Sequence, residues 1–135
     1  MDGENLNGTD GKHALVVLEN KNYINIEGLT IENVTTDIID ETVMEIFISG
    51  ASSHITVKDN TVKGIKTEHE EGNGGHGIAV YGTGLMNDIN IIHKTTEDLK
   101  LGTSESIVLN GVINGFMIDG NRVLYSDNIG IDLIG

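Results

Sequence analysis

The chain has 135 residues, enough for one domain, and its 38% hydrophobic and 21% charged residues are typical of a chain with a packed core. Eight Lys and Arg against 21 Asp and Glu give a net charge of −13. Phosphate backbones and anionic membrane surfaces repel such a chain, so we expect no nucleic-acid partner and no membrane insertion. The absence of cysteine excludes disulfides, thiolate metal sites and a cysteine nucleophile.

The first predicted element is an alternating apolar strand that recurs along the chain. The first copy runs from Val16 to Asn20, and each later copy closes on a glycine. The closing positions are 20, 50, 82, 111 and 135, so the spacings are 30, 32, 29 and 24 residues. A near-constant spacing of this kind indicates an internal structural repeat.

A second pattern follows each of the first four copies and consists of two short strands joined by a tight corner. Its copies are residues 24–31, 55–62, 89–96 and 116–123. The corners carry residue types that tolerate left-handed backbone, namely Gly28, Asp59, Asn60, Gly120 and Asn121. Each repeat therefore holds three short strands and three bends, and no stretch shows a sustained helical period.

Three strands and three bends per repeat predict an all-β solenoid, in which corresponding strands stack in parallel at about 4.8 Å per rung. The predicted inner aliphatic stack is Ile46, Ile48, Ile78, Val80, Ile107, Leu109, Ile131 and Leu133. The predicted outward row between them is Phe47, Ala79, Val108 and Asp132. Residues 37–42 and 67–75 are predicted loops. Leucine-rich repeats are disfavoured because Ile and Val, not Leu, carry the pattern.

The runs 77–82 and 106–111, each followed by its strand–corner–strand segment, resemble the repeat of right-handed parallel β-helix proteins of the pectate-lyase-like superfamily. The resemblance covers roughly residues 14–135. It implies a right-handed, single-stranded parallel β-helix of about four to five coils, as one domain over 1–135 with a polar lead-in at 1–12. Because the chain stops at Gly135 after an apolar strand, we expect further coils of the same longer chain to follow.

The same resemblance implies a carbohydrate-active protein. The expected activity is that of a polysaccharide lyase acting on an acidic polysaccharide or oligosaccharide, with calcium as a cofactor. Hydrolase and epimerase activities belong to the same group of proteins. A non-catalytic glycan-binding or structural surface module is the alternative. The implied location is extracellular or at the cell envelope, although residues 1–10 are polar and do not form a signal peptide.

The candidate catalytic residues are His76, Glu105 and Lys100. His76 lies in a Gly-Gly-His-Gly run that is similar to the Gly-His-Gly segment of polygalacturonases, but the accompanying aspartates and basic motif are missing. Glu105 holds the same place one repeat later, so stacking would bring the two side chains together as an acid/base pair or as a surface ion pair. The alternative to a catalytic role is structural: Gly75 and Gly77 permit a tight bend, and His76 sits at the corner of the coil. Lys100 precedes the Glu105 strand as the candidate base.

Oxygen-bearing side chains cluster on the last predicted rung. Asp127 and Asp132 are the candidate metal ligands, because carboxylates suit calcium, although the same residue types serve turns. Tyr81, Asn110 and Asp132 border the outward row and are the predicted substrate-binding residues. The acidic insertion around His69 is a second, weaker candidate for metal binding.

Overall fold

The computed structural model describes Met1 and residues 12–68 and 74–135. These residues form thirteen β-strands and contain no helix, and so none that could cross a membrane. The strands are β1 Lys12–Glu19, β2 Asn22–Glu27, β3 Thr30–Thr36, β4 Thr42–Gly50, β5 Ser53–Lys58, β6 Thr61–Thr67, β7 Gly74–Gly82, β8 Met86–Ile92, β9 Thr95–Leu99, β10 Ile107–Asn110, β11 Ile113–Asp119, β12 Arg122–Ser126 and β13 Ile131–Ile134.

Every third strand pairs in parallel, which confirms the predicted solenoid. The first sheet has the order β1-β4-β7-β10-β13, the second β2-β5-β8-β11 and the third β3-β6-β9-β12. Four complete coils result, and β13 begins a fifth. The predicted first loop is confirmed, since β3 ends at Thr36 and β4 begins at Thr42. Most of the second predicted loop, including His69, lies outside the described residues.

The predicted inner stack is the core. Ile46 pairs with Ile78 and Ile78 with Ile107, and all three are completely buried. Ile131 continues the register but is 42% exposed, because no coil in the structure covers β13. The core therefore depends on stacking between coils, as the alternation of apolar residues predicted.

The predicted corners are also confirmed. The turn between the second and third strand of each coil places one left-handed residue above another, at Gly28, Asp59, His93 and Gly120, with φ between 50° and 70°. The asparagine after such a corner turns inward and binds the preceding coil. Asn60 donates from Nδ2 to the Ile26 carbonyl over 2.9 Å and accepts from the Leu29 N–H over 2.8 Å.

Lys94 interrupts this asparagine column. It occupies the place that Asn60 and Asn121 hold in the neighbouring coils, and its side chain is fully buried in an ion pair with the equally buried Glu45. Gly77 follows Glu45 in register one coil later, and a Cβ there would lie 2.9 Å from the Ser106 carbonyl oxygen, so glycine permits the close approach of the next coil. The Lys94 backbone directly follows the His93 corner, but its side chain fills the interior.

Candidate functional site

The outer face of the first sheet brings His76 and Glu105 together. In each coil the strict alternation breaks once: Glu45 and Ile46 both point inward, as do Gly77 and Ile78 in the next coil. The break sets Met44, His76 and Glu105 in one outward column beside the predicted outward row. His76 therefore lies within β7, and the interpretation that it sits at a glycine bend was wrong, because neither flanking glycine has a positive φ.

The predicted outward row is not a solvated surface. Ala79 and Val108 lie on the outer side of the sheet, yet both are completely buried. They pack with Met44 and are flanked by the partly buried rings of Phe47 and Tyr81, whose centroids are 6.2 Å apart. Ala79 and Val108 thus form a fully buried apolar floor beneath a strip of surface that is bordered by Phe47, Tyr81 and Glu105, and this strip is called the groove below. Met44 and Phe47 were not predicted as site residues, and the signal for them was their position in two adjacent outward columns.

His76 links Tyr81 to the backbone of Glu105. Its Nδ1 lies 2.9 Å from the Glu105 carbonyl oxygen and 3.6 Å from the Glu105 carboxylate, so the hydrogen bond is made to the carbonyl. In the tautomer that donates from Nδ1, Nε2 accepts from the Tyr81 hydroxyl over 3.4 Å. Burial lowers the pKa of His76, outweighing the hydrogen bond to Glu105. The imidazole is therefore neutral at neutral pH.

Glu105 carries a carboxyl group that resists ionisation. Partial burial raises its pKa, its own backbone N–H lowers it, and the negative charge of Asp132 raises it again. Asp132 lies one coil further on, in the column of Val108. The pKa of Tyr81 is raised as well, first by burial and then by the charge of Glu105. The Glu105 carboxyl group, which interacts with both Tyr81 and Asp132, thus keeps its proton to higher pH than a free glutamate does.

This coupling gives a prediction that requires no substrate. Asp132→Asn is expected to shift the titration midpoint of Glu105 to lower pH, because the neutral amide no longer opposes ionisation of the neighbouring carboxyl. Carbon NMR of labelled glutamate side chains would measure the midpoint. Asp119→Asn, on the second sheet, is the control and should leave it unchanged. An unchanged or higher Glu105 midpoint in Asp132→Asn would contradict the coupling.

The other predicted residues are dispersed. Asn110 pairs with Tyr81 of the preceding coil and borders the groove, and its role in substrate binding stays a prediction. The Lys100 ammonium lies 3.4 Å from the Glu68 carboxylate, and in the described parts of the chain no contact joins it to His76 or Glu105. Asp127 Oδ1 accepts the Leu101 N–H over 2.8 Å and so ties its turn to the backbone of the preceding coil.

A calcium site stays a prediction. Among residues 12–68 and 74–135, no group of three or more histidine or carboxylate side chains is arranged to hold a metal ion. Asp132 lies at the groove, whereas Asp127 is engaged by the backbone at a turn. A cation at Asp132 would therefore take Glu105 as its nearest carboxylate partner.

The chain is similar to an uncharacterized protein, YwoF, of Bacillus subtilis (strain 168), with 49% identity over 135 residues. The match covers 100% of this chain but 29% of YwoF, so the chain spans less than a third of that relative. No family model and no solved structure matches the chain. The alignment includes every coil and the whole groove, while the activity and partners of the complete protein are matters for proposal.

Proposed function

We propose that the groove binds a glycan chain and that Glu105 donates the proton that cleaves a glycosidic bond. The observation that carries this proposal is the Glu105 carboxyl group, with its raised pKa, beside Asp132 over the buried floor of Ala79 and Val108. A carboxyl group with a raised pKa beside a second carboxyl group is the arrangement used for general acid catalysis and its partner carboxylate in glycoside hydrolysis. Asp132 is the partner in this proposal.

The remaining groove residues have supporting roles. Tyr81 presents its ring to the sugar, and its hydroxyl is held by His76. His76 in turn holds the backbone of Glu105, so it positions the acid. The accessible parts of the Phe47 and Tyr81 rings offer a surface for the C–H face of a sugar ring. The groove runs along the coil axis, so further coils of a longer chain would extend it past β13.

Lyase chemistry on an acidic polysaccharide is the related reaction that the pectate-lyase-like resemblance favours. In that reaction the neutral His76 would be the base, and a calcium ion near Asp132 would neutralise the uronate carboxylate. The resemblance also supports a location outside the cell or at its envelope, where polysaccharide is present. The products distinguish the two reactions, because only elimination leaves an unsaturated uronate end.

The proposal is tested by incubating the protein with a panel of polysaccharides and measuring new reducing ends and unsaturated ends. Glu105→Gln keeps the shape of the side chain but removes its proton, so cleavage should fall by about 10²- to 10⁴-fold. Glu97→Gln, on the third sheet, is the matched control and should keep full activity. Cleavage undiminished in Glu105→Gln would contradict the proposed acid, and no cleavage of any polysaccharide would contradict the proposed enzyme.

A non-catalytic glycan-binding module is the second candidate. The observation that favours it is the pair of partly buried rings, Phe47 and Tyr81, beside an apolar floor, which suits sugar binding without chemistry. It predicts that Tyr81→Ala loses glycan affinity while Glu105→Gln retains it, and that no new reducing ends appear with the unchanged protein. Unaltered affinity in Tyr81→Ala would argue against this candidate.

A further inference from the structure

Thr96 carries a hydroxyl group into the interior of the solenoid. Its register partners in the adjacent coils are Val62 and Val123, so valine fits the same position of the repeat. Thr96 is completely buried, and its Oγ1 has no hydrogen-bond partner among the described residues. Burying a hydroxyl group without a hydrogen bond is unfavourable, and a valine of nearly the same shape would avoid that cost. Packing alone therefore does not explain why this position carries a hydroxyl group.

Glu45 and Lys94 lie beside Thr96. Glu45 precedes Gly77 by one coil in the same register, and the Thr96 Cγ2 atom lies 3.1 Å from the position that a Cβ would take at Gly77. Lys94 lies two residues before Thr96, and its ammonium group is bonded to Oε2 of Glu45. The nearby Ser106 carbonyl oxygen already accepts two backbone N–H groups. Glu45, Lys94 and Thr96 thus meet at one place in the interior, between the first and the third sheet.

Each of these three side chains has hydrogen-bonding capacity that no described residue uses. Oε1 of Glu45 and Oγ1 of Thr96 have no partner, and both residues are completely buried. The Lys94 ammonium has three N–H donors, and its bond within the described chain is the one to Oε2 of Glu45. An acceptor, a hydroxyl group and spare donors suit a buried water molecule, which makes about three hydrogen bonds. The ammonium charge would oppose a metal ion there, and the carboxylate would oppose an anion.

We infer that Glu45, Lys94 and Thr96 hold one water molecule in the interior of the solenoid. The water donates a hydrogen bond to Oε1 of Glu45, accepts one from the Lys94 ammonium and shares one with the Thr96 hydroxyl group. It completes the buried ion pair and joins β4 to β9 in the following coil. The site is separate from the groove and does not depend on the function proposed for it.

A crystal structure at high resolution tests the site directly. An ordered water molecule is expected within about 2.7–3.2 Å of Oε1 of Glu45, Nζ of Lys94 and Oγ1 of Thr96. Electron density that shows these groups bonded directly to one another, with no water molecule between them, would overturn the inference.

Thr96→Val tests the same site in solution. If the hydroxyl group had no partner, the variant would be at least as stable as the unchanged protein, because valine keeps the shape and removes the unpaired group. A hydroxyl group bonded to water predicts instead that the denaturant midpoint falls and that the oxygen-17 relaxation signal of long-lived water decreases by one molecule. A midpoint that stays the same or rises, or an unchanged relaxation signal, would overturn the inference.

Thr56→Val is the matched control for this experiment. Thr56 is a half-buried threonine of β5 on the second sheet, away from the ion pair. The same chemical change there should alter neither the denaturant midpoint nor the relaxation signal, so a decrease found in Thr96→Val alone assigns the water molecule to Thr96.

Discussion

Replacing Lys94 with Met is expected to lower the free energy of unfolding by about 3–5 kcal/mol at neutral pH. The change leaves the Glu45 carboxyl group buried without its cation. Within the described residues, Oε1 of Glu45 already has no hydrogen-bond partner, so nothing there replaces the ammonium. Chemical denaturation of the unchanged chain and the variant measures the difference.

The loss of stability in Lys94→Met is expected to depend on pH, and the pKa shifts of Glu45 and Lys94 give its direction. Burial raises the pKa of Glu45 to about 7 in spite of Lys94, and removing Lys94 removes an influence that lowers it. A carboxyl group with a folded-state pKa above the unfolded value stabilises less as pH rises, because the unfolded chain releases the proton first. The pKa of Lys94 is itself lowered by burial, so at low pH the unchanged protein holds a disfavoured cation. The variant should therefore lose more stability near pH 8 than near pH 5.

The matched control is removal of both members of the pair. Glu45→Leu combined with Lys94→Met leaves no buried charge, and its stability should return to within about 1–2 kcal/mol of the unchanged chain. Lys63→Met removes an exposed lysine of β6 and should change stability by less than about 0.5 kcal/mol. A double variant as unstable as Lys94→Met alone would show that lost packing, not the unpaired charge, is responsible.

The second large effect is expected at Gly111, after β10. Its φ is 118°, and an added Cβ would lie 2.5 Å from the Gly82 carbonyl oxygen and 3.0 Å from the Gly82 Cα. Both atoms belong to the backbone of the neighbouring coil, so they cannot rotate away. Backbone strain and overpacking of about 1–3 kcal/mol each predict that Gly111→Ala loses about 2–6 kcal/mol of stability.

Gly28→Ala separates the two contributions. Gly28 has a φ of 70°, and no atom lies within 4 Å of an added Cβ, so only the left-handed backbone is penalised, by about 1–2 kcal/mol. Denaturation of both variants under the same conditions makes the comparison. If Gly111→Ala is no less stable than Gly28→Ala, the close approach of the two coils at Gly82 is incorrect.

The repeat was predictable because local chemistry and global packing agree in a solenoid. Each coil repeats the same local pattern: alternating Ile and Val residues form the strands, and glycine or a left-handed residue such as Gly28 or Asp59 forms the bends. The pattern within one coil therefore predicts the structure of that coil. The neighbourhood of His76 and Glu105 followed from the repeat spacing alone. Stacking turns a sequence separation of one repeat into contact between neighbouring coils.

The sequence by itself determined the all-β solenoid, its inner stack and the column that joins His76 to Glu105. Only the tertiary structure decided that Ala79 and Val108 are buried on the outer face, because that depends on the bulk of Phe47 in the same row and of Met44 and Tyr81 in the adjacent outward columns. It also decided that Lys94 turns inward. A lysine after a corner is ordinarily solvated, and its burial requires the Glu45 carboxylate of the preceding coil. The Lys94–Glu45 ion pair joins two different coils, so the pattern of residues within either coil does not predict it.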